Sequence, residues 1–160
     1  KRLILSIRRS NVKIALDTDF FSFSEIRDIA PFIMKPNLKE AGNILSRSGI
    51  TARNAFDAAA LLAEVAEHVL LSMGAEGICY RHRQEGFHVR VPAVTVSSTV
   101  GAGDTALAGF LAMIQQGKNL PDSVRYAAAC SCASVTLEGT QAVTKAIVGH
   151  YLKQIQTTRI

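Results

Sequence analysis

Three observations predict an α/β domain built on a largely parallel sheet. Short, nearly continuous apolar runs at 12–17, 32–34 and 68–73 have the composition of strands buried on both faces. Ala- and Leu-rich stretches preceded by helix-capping residues alternate with them. A pair of short apolar segments, 78–82 and 87–91, flanks Arg83-Gln84-Glu85-Gly86 and adds an antiparallel hairpin to the parallel part.

Composition narrows the class. Hydrophobic residues make up 48% of 160 and charged ones 19%, which excludes a disordered chain. No apolar run approaches the ~20 residues of a membrane-crossing helix, so no membrane partner is expected. The opening Lys1-Arg2-Leu3-Ile4-Leu5-Ser6-Ile7 is interrupted too soon to be a secretory leader. The +5 charge comes from scattered Lys and Arg without interleaved aromatics, and no nucleic-acid partner is expected. Cys79, Cys130 and Cys132 form no CxxC pair and read as buried thiols of a reducing, cytoplasmic compartment. The four histidines, His68, His82, His88 and His150, have no ligand spacing. With no initiator Met and an opening that resembles the last turn of a helix, the chain reads as a piece of something longer.

Along the chain, residues 12–17 form a strand ending in Asp17. Ser22 or Ser24 caps a brief helix. Residues 32–34 are extended because Pro36 follows, and a helix starts at Asn37. Asn54 or Asp57 opens a helix over 55–67, and 68–73 is a strand closed by the Gly74–Gly77 turn. Residues 94–98 form a last strand. Helices over 102–116, 122–137 and 144–156 complete the chain; Gly117 ends the first and Pro121 marks the turn before the second. Parallel sheets bind ligands at the carboxyl ends of their strands, so chemistry is expected after Met34, Met73 and Ser98.

After Ser98 comes Thr99-Val100-Gly101-Ala102-Gly103-Asp104, running straight into an Ala-rich helix. Glycines let a backbone turn tightly, and the amides of a first helical turn form an anion site. Asp104 reads in three ways. It is a helix-start residue in a glycine turn. It belongs to a dinucleotide fingerprint, Gly101-Ala102-Gly103-Asp104-Thr105-Ala106, though that requires a further strand and an acidic residue ~20 positions on, where only Asp122 stands. Or it is a general base in a phosphoryl transfer without a Walker loop, taking the proton of an attacking hydroxyl while the amides stabilise the charge. Lys35-Pro36-Asn37-Leu38-Lys39-Glu40 reads as a capping box, with Lys35 either solvated or facing phosphate charge. Ser72-Met73-Gly74-Ala75-Glu76-Gly77 reads as a turn, and Gly139 in Glu138-Gly139-Thr140 as a helix C-cap.

Together, in this order, these motifs resemble the C-terminal half of the ribokinase-like (PfkB-type) carbohydrate kinases, most of all the 1-phosphofructokinase and tagatose-6-phosphate kinase branch. The resemblance runs from the strand at Val12 to the last helix. It implies a three-layer α/β/α ribokinase-like fold, with residues 1–160 as its C-terminal nucleotide-binding portion. The N-terminal sugar-binding half and lid would then be the missing partner, and the full-length protein a homodimer. It implies ATP and Mg²⁺ as cofactors, a sugar or sugar-phosphate substrate, Asp104 as base, and Gly101, Ala102 and Gly103 as anion hole. Lys35, Asn37, Ser72, Gly74, Gly77, Thr99 and Gly139 become nucleotide contacts, and Asn37 with Glu40 the magnesium site. Ribokinase-type members often carry Asp where Ser98 stands, so potassium activation is not implied. A non-catalytic nucleotide-binding remnant of the same fold is the alternative.

Overall fold

The computed structural model describes Ile4, Ser6 and residues 12–160. The reading of the opening residues lies, apart from Ile4 and Ser6, outside the described residues. The chain forms two compact units: Lys1–Gly74 with Cys79–Gly86 and Ile160, and Ala75–Ile78 with Phe87–Arg159.

In the first unit, β1 (Ala15–Leu16), β2 (Ile33–Met34) and β3 (His68–Ser72) pair in parallel, Ala15 opposite Ile33 and Ile33 opposite His68. β4 (Ile78–His82) lies beside β3. Each parallel crossover carries a helix, as parallel pairing requires. α1 (Phe23–Ile29) joins β1 to β2; α2 (Leu38–Leu45) and α3 (Ala55–Leu62) join β2 to β3. Ser22 caps α1 through a capping box with Glu25. Helices α2 and α3 pack on each other and on β3. The apolar core there includes Leu16, Met34, Val69 and Leu71 from the apolar runs and Ile44 and Leu62 from helices α2 and α3. Helix α3 stops at Leu62, five residues short of the expected Glu67. Asn54 stands at its start without capping it, its side chain instead holding the Thr51 N–H at 2.7 Å and the Gly49 carbonyl at 3.0 Å.

In the second unit, α4 (Ala102–Gln115) packs on α5 (Leu120–Val135), which packs on α6 (Lys145–Leu152). A Cβ added to Gly109 would approach Cys130 Sγ to 2.8 Å, so a glycine is what allows α4 and α5 to meet this closely. Gly117, at φ 71°, follows the α4 C-cap as expected. Asn119 caps α5 by accepting from the Asp122 N–H, and Pro121 lies inside its first turn, where a missing N–H costs nothing. Asp122 therefore belongs to α5, and no strand lies between α4 and α5 to complete a dinucleotide fingerprint.

Three expectations are corrected here. Residues 94–98 are not a strand: the Ser97 and Ser98 N–H groups donate to the Val135 carbonyl at 2.7 and 3.2 Å, tying the segment to the end of α5 instead of a sheet. The last helix ends at Leu152, and β6 (Gln156–Arg159) follows, antiparallel to β5 (Glu85–Arg90), with Val89 opposite Thr157. β5 also starts two residues earlier than expected, because Arg83 adopts φ 52° and turns the chain sharply. Three parallel strands and the antiparallel β5–β6 pair thus make a mixed α/β fold.

Candidate active site

The Thr99–Asp104 loop lies in the second unit. Gly101 is the α4 N-cap at φ 77°, a left-handed conformation that glycine adopts without strain. Its carbonyl accepts from both the Thr105 N–H (2.9 Å) and the Thr105 hydroxyl (2.7 Å), closing the first turn. Helix N-termini leave their first N–H groups without a carbonyl one turn back. Here the Ala102 N–H leans on the Thr99 carbonyl at 3.3 Å and the Val100 N–H on Ser98 Oγ at 3.2 Å. Asp104 stands exposed in the first helical turn and makes no side-chain hydrogen bond or ion pair among the described residues. Thr99 is exposed in the preceding loop. Gly139 is exposed at φ 59° in the α5–α6 connection; the C-cap of α5 is Thr136, so the C-cap reading of Gly139 is corrected.

The other motifs lie at the strand ends of the first unit. Asn37 Oδ1 accepts from the Glu40 N–H at 3.0 Å, and Glu40 Oε2 accepts from the Asn37 N–H at 2.9 Å, a complete capping box. Asn37 also bridges Ser72 in parallel, and the Ser72 N–H donates to the Pro36 carbonyl at 2.9 Å. Lys35 is not a solvated lysine. It is buried at the end of β2 and its Nζ lies 3.2 Å from Asp17 Oδ1, a partner whose strand-end position was read but whose pairing was not. A buried ammonium is stabilised by such a partner. Gly74 is exposed at φ 61°. Gly77, which belongs to the second unit, is buried at φ 90°, and a Cβ there would overlap the Val89 carbonyl oxygen. That close approach is reason enough for a glycine.

The cysteines are free and buried. Burial pushes the Cys79 thiol up to about 12 and those of Cys130 and Cys132 up to about 11, far from the thiolate a nucleophile needs. Missed altogether by sequence spacing was the juxtaposition of His68 and His82. Their rings stack at 4.6 Å between centroids, with Glu67 beside both.

A family model, the pfkB family carbohydrate kinases, matches residues 3–147. The chain belongs to this family. Among pfkB relatives, the 1-phosphofructokinase of Vibrio cholerae is 32% identical over 158 residues, covering 98% of this chain and 50% of that protein. The chain thus spans about half the length of the curated relatives it matches. Phosphofructokinase-2 of Escherichia coli, solved with substrates and products, superposes with a TM-score of 0.84 at 23% identity, over 96% of this chain and 50% of that one. Ribokinase of Arabidopsis thaliana, solved with ribose and ATP, superposes at 0.79 and 23% over 95% and 51%. The pfkB membership and the ribokinase-like fold agree with the resemblance read from the motifs. Among the described residues no helix is long and apolar enough to cross a membrane.

Proposed function

We propose that this chain is the nucleotide-side half of an ATP-dependent sugar or sugar-phosphate kinase, transferring a phosphoryl group to a substrate hydroxyl. The observation that carries this reading is the left-handed Gly101 cap feeding a 14-residue helix, with an exposed, unengaged Asp104 in its first turn. Glu25 and Glu40, in the corresponding position of their helices, each accept the N-cap N–H. Asp104 accepts none and is left able to take a proton.

In this reading Asp104 takes the proton of the acceptor hydroxyl as that oxygen attacks the terminal phosphorus of ATP, and the bond to the ADP oxygen breaks in line. The amides of Gly101, Ala102 and Gly103 stabilise the negative charge on the transferring group. Lys35, Asn37, Ser72, Gly74, Gly77, Thr99 and Gly139 are assigned to the nucleotide. Mg²⁺ fits the Asn37–Glu40 pair by donor chemistry: it prefers oxygen ligands and keeps several waters. The capping box occupies Glu40 Oε2 and leaves Oε1 for such a water-mediated contact. When bound, the ion neutralises charge on the phosphates.

The acceptor hydroxyl must be held in line near the base, and the relatives' other half is proposed to hold it. Residues 1–160 alone are therefore expected to bind ATP with Mg²⁺ yet not to phosphorylate fructose 1-phosphate, fructose 6-phosphate or tagatose 6-phosphate. Adding the missing N-terminal half, as a separate chain or in the full-length homodimer, should restore turnover. Robust turnover by residues 1–160 alone overturns the division of labour; nucleotide binding without turnover even in the completed protein supports a non-catalytic remnant.

A further inference from the structure

Outside the kinase motifs, one cluster in the first unit has ligand chemistry without an assigned role. The geometry points to a Zn²⁺ site formed by His68, His82 and Glu67, with one coordination position left for water. This inference is independent of the proposed phosphoryl transfer and uses none of its residues.

The three side chains each present one ligand atom, and these atoms lie within 4.8 Å of one another. Glu67 Oε1 is 3.9 Å from His68 Nε2 and 4.0 Å from His82 Nε2. An ion in the plane of three atoms so spaced and equidistant from them sits at most about 2.5 Å from each, so a contraction of a few tenths of an ångström reaches zinc bond lengths of ~2.0–2.2 Å. Two imidazoles and a carboxylate are a borderline donor set, which suits Zn²⁺ and discriminates against Mg²⁺ or Ca²⁺.

The surroundings prepare one ligand and leave two adjustable. His68, at the start of β3, is buried, with Phe32 packed edge-on at 4.6 Å and its Nδ1 2.6 Å from the Tyr80 hydroxyl. A hydrogen bond on the far ring nitrogen is what orients a metal-binding imidazole and presents its Nε2. His82, at the end of β4, and Glu67 are more exposed, with 18% and 49% of their side chains accessible. The His68 and His82 rings stack at 19°, and ion binding requires His82 to tilt out of that stack so that its lone pair meets the ion. The site would clamp the start of β3 to the end of β4.

The test titrates the chelator-washed full chain with Co²⁺, as a spectroscopic stand-in, and with Zn²⁺. One equivalent of Co²⁺ should produce the visible bands of a four- or five-coordinate ion, Zn²⁺ should displace it, and Zn²⁺ should raise the unfolding midpoint. His82→Ala and, separately, Glu67→Gln should abolish the bands while circular dichroism stays unchanged. Tyr80→Phe should weaken binding about 10-fold through loss of the orienting hydrogen bond. His150→Ala, on α6, should change nothing. Absence of a one-to-one complex in the parent chain, or bands that survive His82→Ala, overturns the assignment.

Discussion

Asn37 and Ser72 sit opposite each other as a parallel bridge, with the Ser72 N–H held by the Pro36 carbonyl at 2.9 Å. Two motifs separated by more than thirty residues of sequence are thereby locked side by side at neighbouring strand ends. The cap on α2 is part of the same construction, since Asn37 Oδ1 holds the Glu40 N–H.

Asn37 can be tested for a structural and a binding role at once. Asn37→Ala removes the cap acceptor and should cost about 1 kcal/mol in urea unfolding. Asn37→Asp keeps an acceptor and should stay within roughly 0.5 kcal/mol of the parent. If the side chain also serves Mg²⁺-nucleotide, both variants should alter nucleotide affinity, whereas a purely capping residue would show the defect in the alanine variant alone.

Asp104→Asn addresses the base. The side chain is exposed and makes no bond among the described residues, so stability should change by no more than about 0.5 kcal/mol. In the completed enzyme kcat should fall by roughly 10²–10⁴, the range of general base catalysis, with nucleotide binding largely retained. Turnover near the parent value would remove Asp104 from the mechanism.

The two glycines of the Gly74–Gly77 turn should respond differently. Gly74 has open space around its Cα, so Gly74→Ala meets only the left-handed φ of 61° and should cost about 1–2 kcal/mol. A Cβ at Gly77 would overlap the Val89 carbonyl oxygen, and Gly77→Ala should cost distinctly more, on the order of 3 kcal/mol or above, because backbone must shift. Equal losses measured by thermal unfolding would contradict the close approach.

His68 predicts a pH dependence of stability in the presence of chelator. Burial, reinforced by His82, Lys13 and Arg83, holds its pKa down to about 4 from 6.5. Between those values the unfolded chain takes up a proton that the folded chain refuses. His68 therefore costs nothing above pH 6.5 and withdraws stability progressively as pH falls toward 4, by about 3 kcal/mol in all. His68→Gln should flatten that part of the stability–pH curve; an unchanged slope would refute the shift.

The features legible in the amino-acid order are mostly local. Ser22 and Asn37 act through atoms three residues away, so their caps form wherever the chain places them. The same holds for Gly101, whose left-handed turn needs only the absence of a side chain, and for the apolar runs that became β1, β2 and β3. The motifs that carried the family resemblance were legible because each is a short stretch with its own backbone demands.

Tertiary structure decided what depends on distant partners. Residues 94–98 carry strand-forming valines, yet their N–H groups found the Val135 carbonyl at the end of α5. The helix expected to reach Gln156 ends at Leu152 instead, and Gln156–Arg159 pair with the edge of β5 as β6. Lys35 became an ion pair only because β1 brought Asp17 alongside, and His68 met His82 only because β3 and β4 are neighbours. A hydrogen bond or ion pair formed across such separations is settled by which elements pack together, and no window of sequence contains that information.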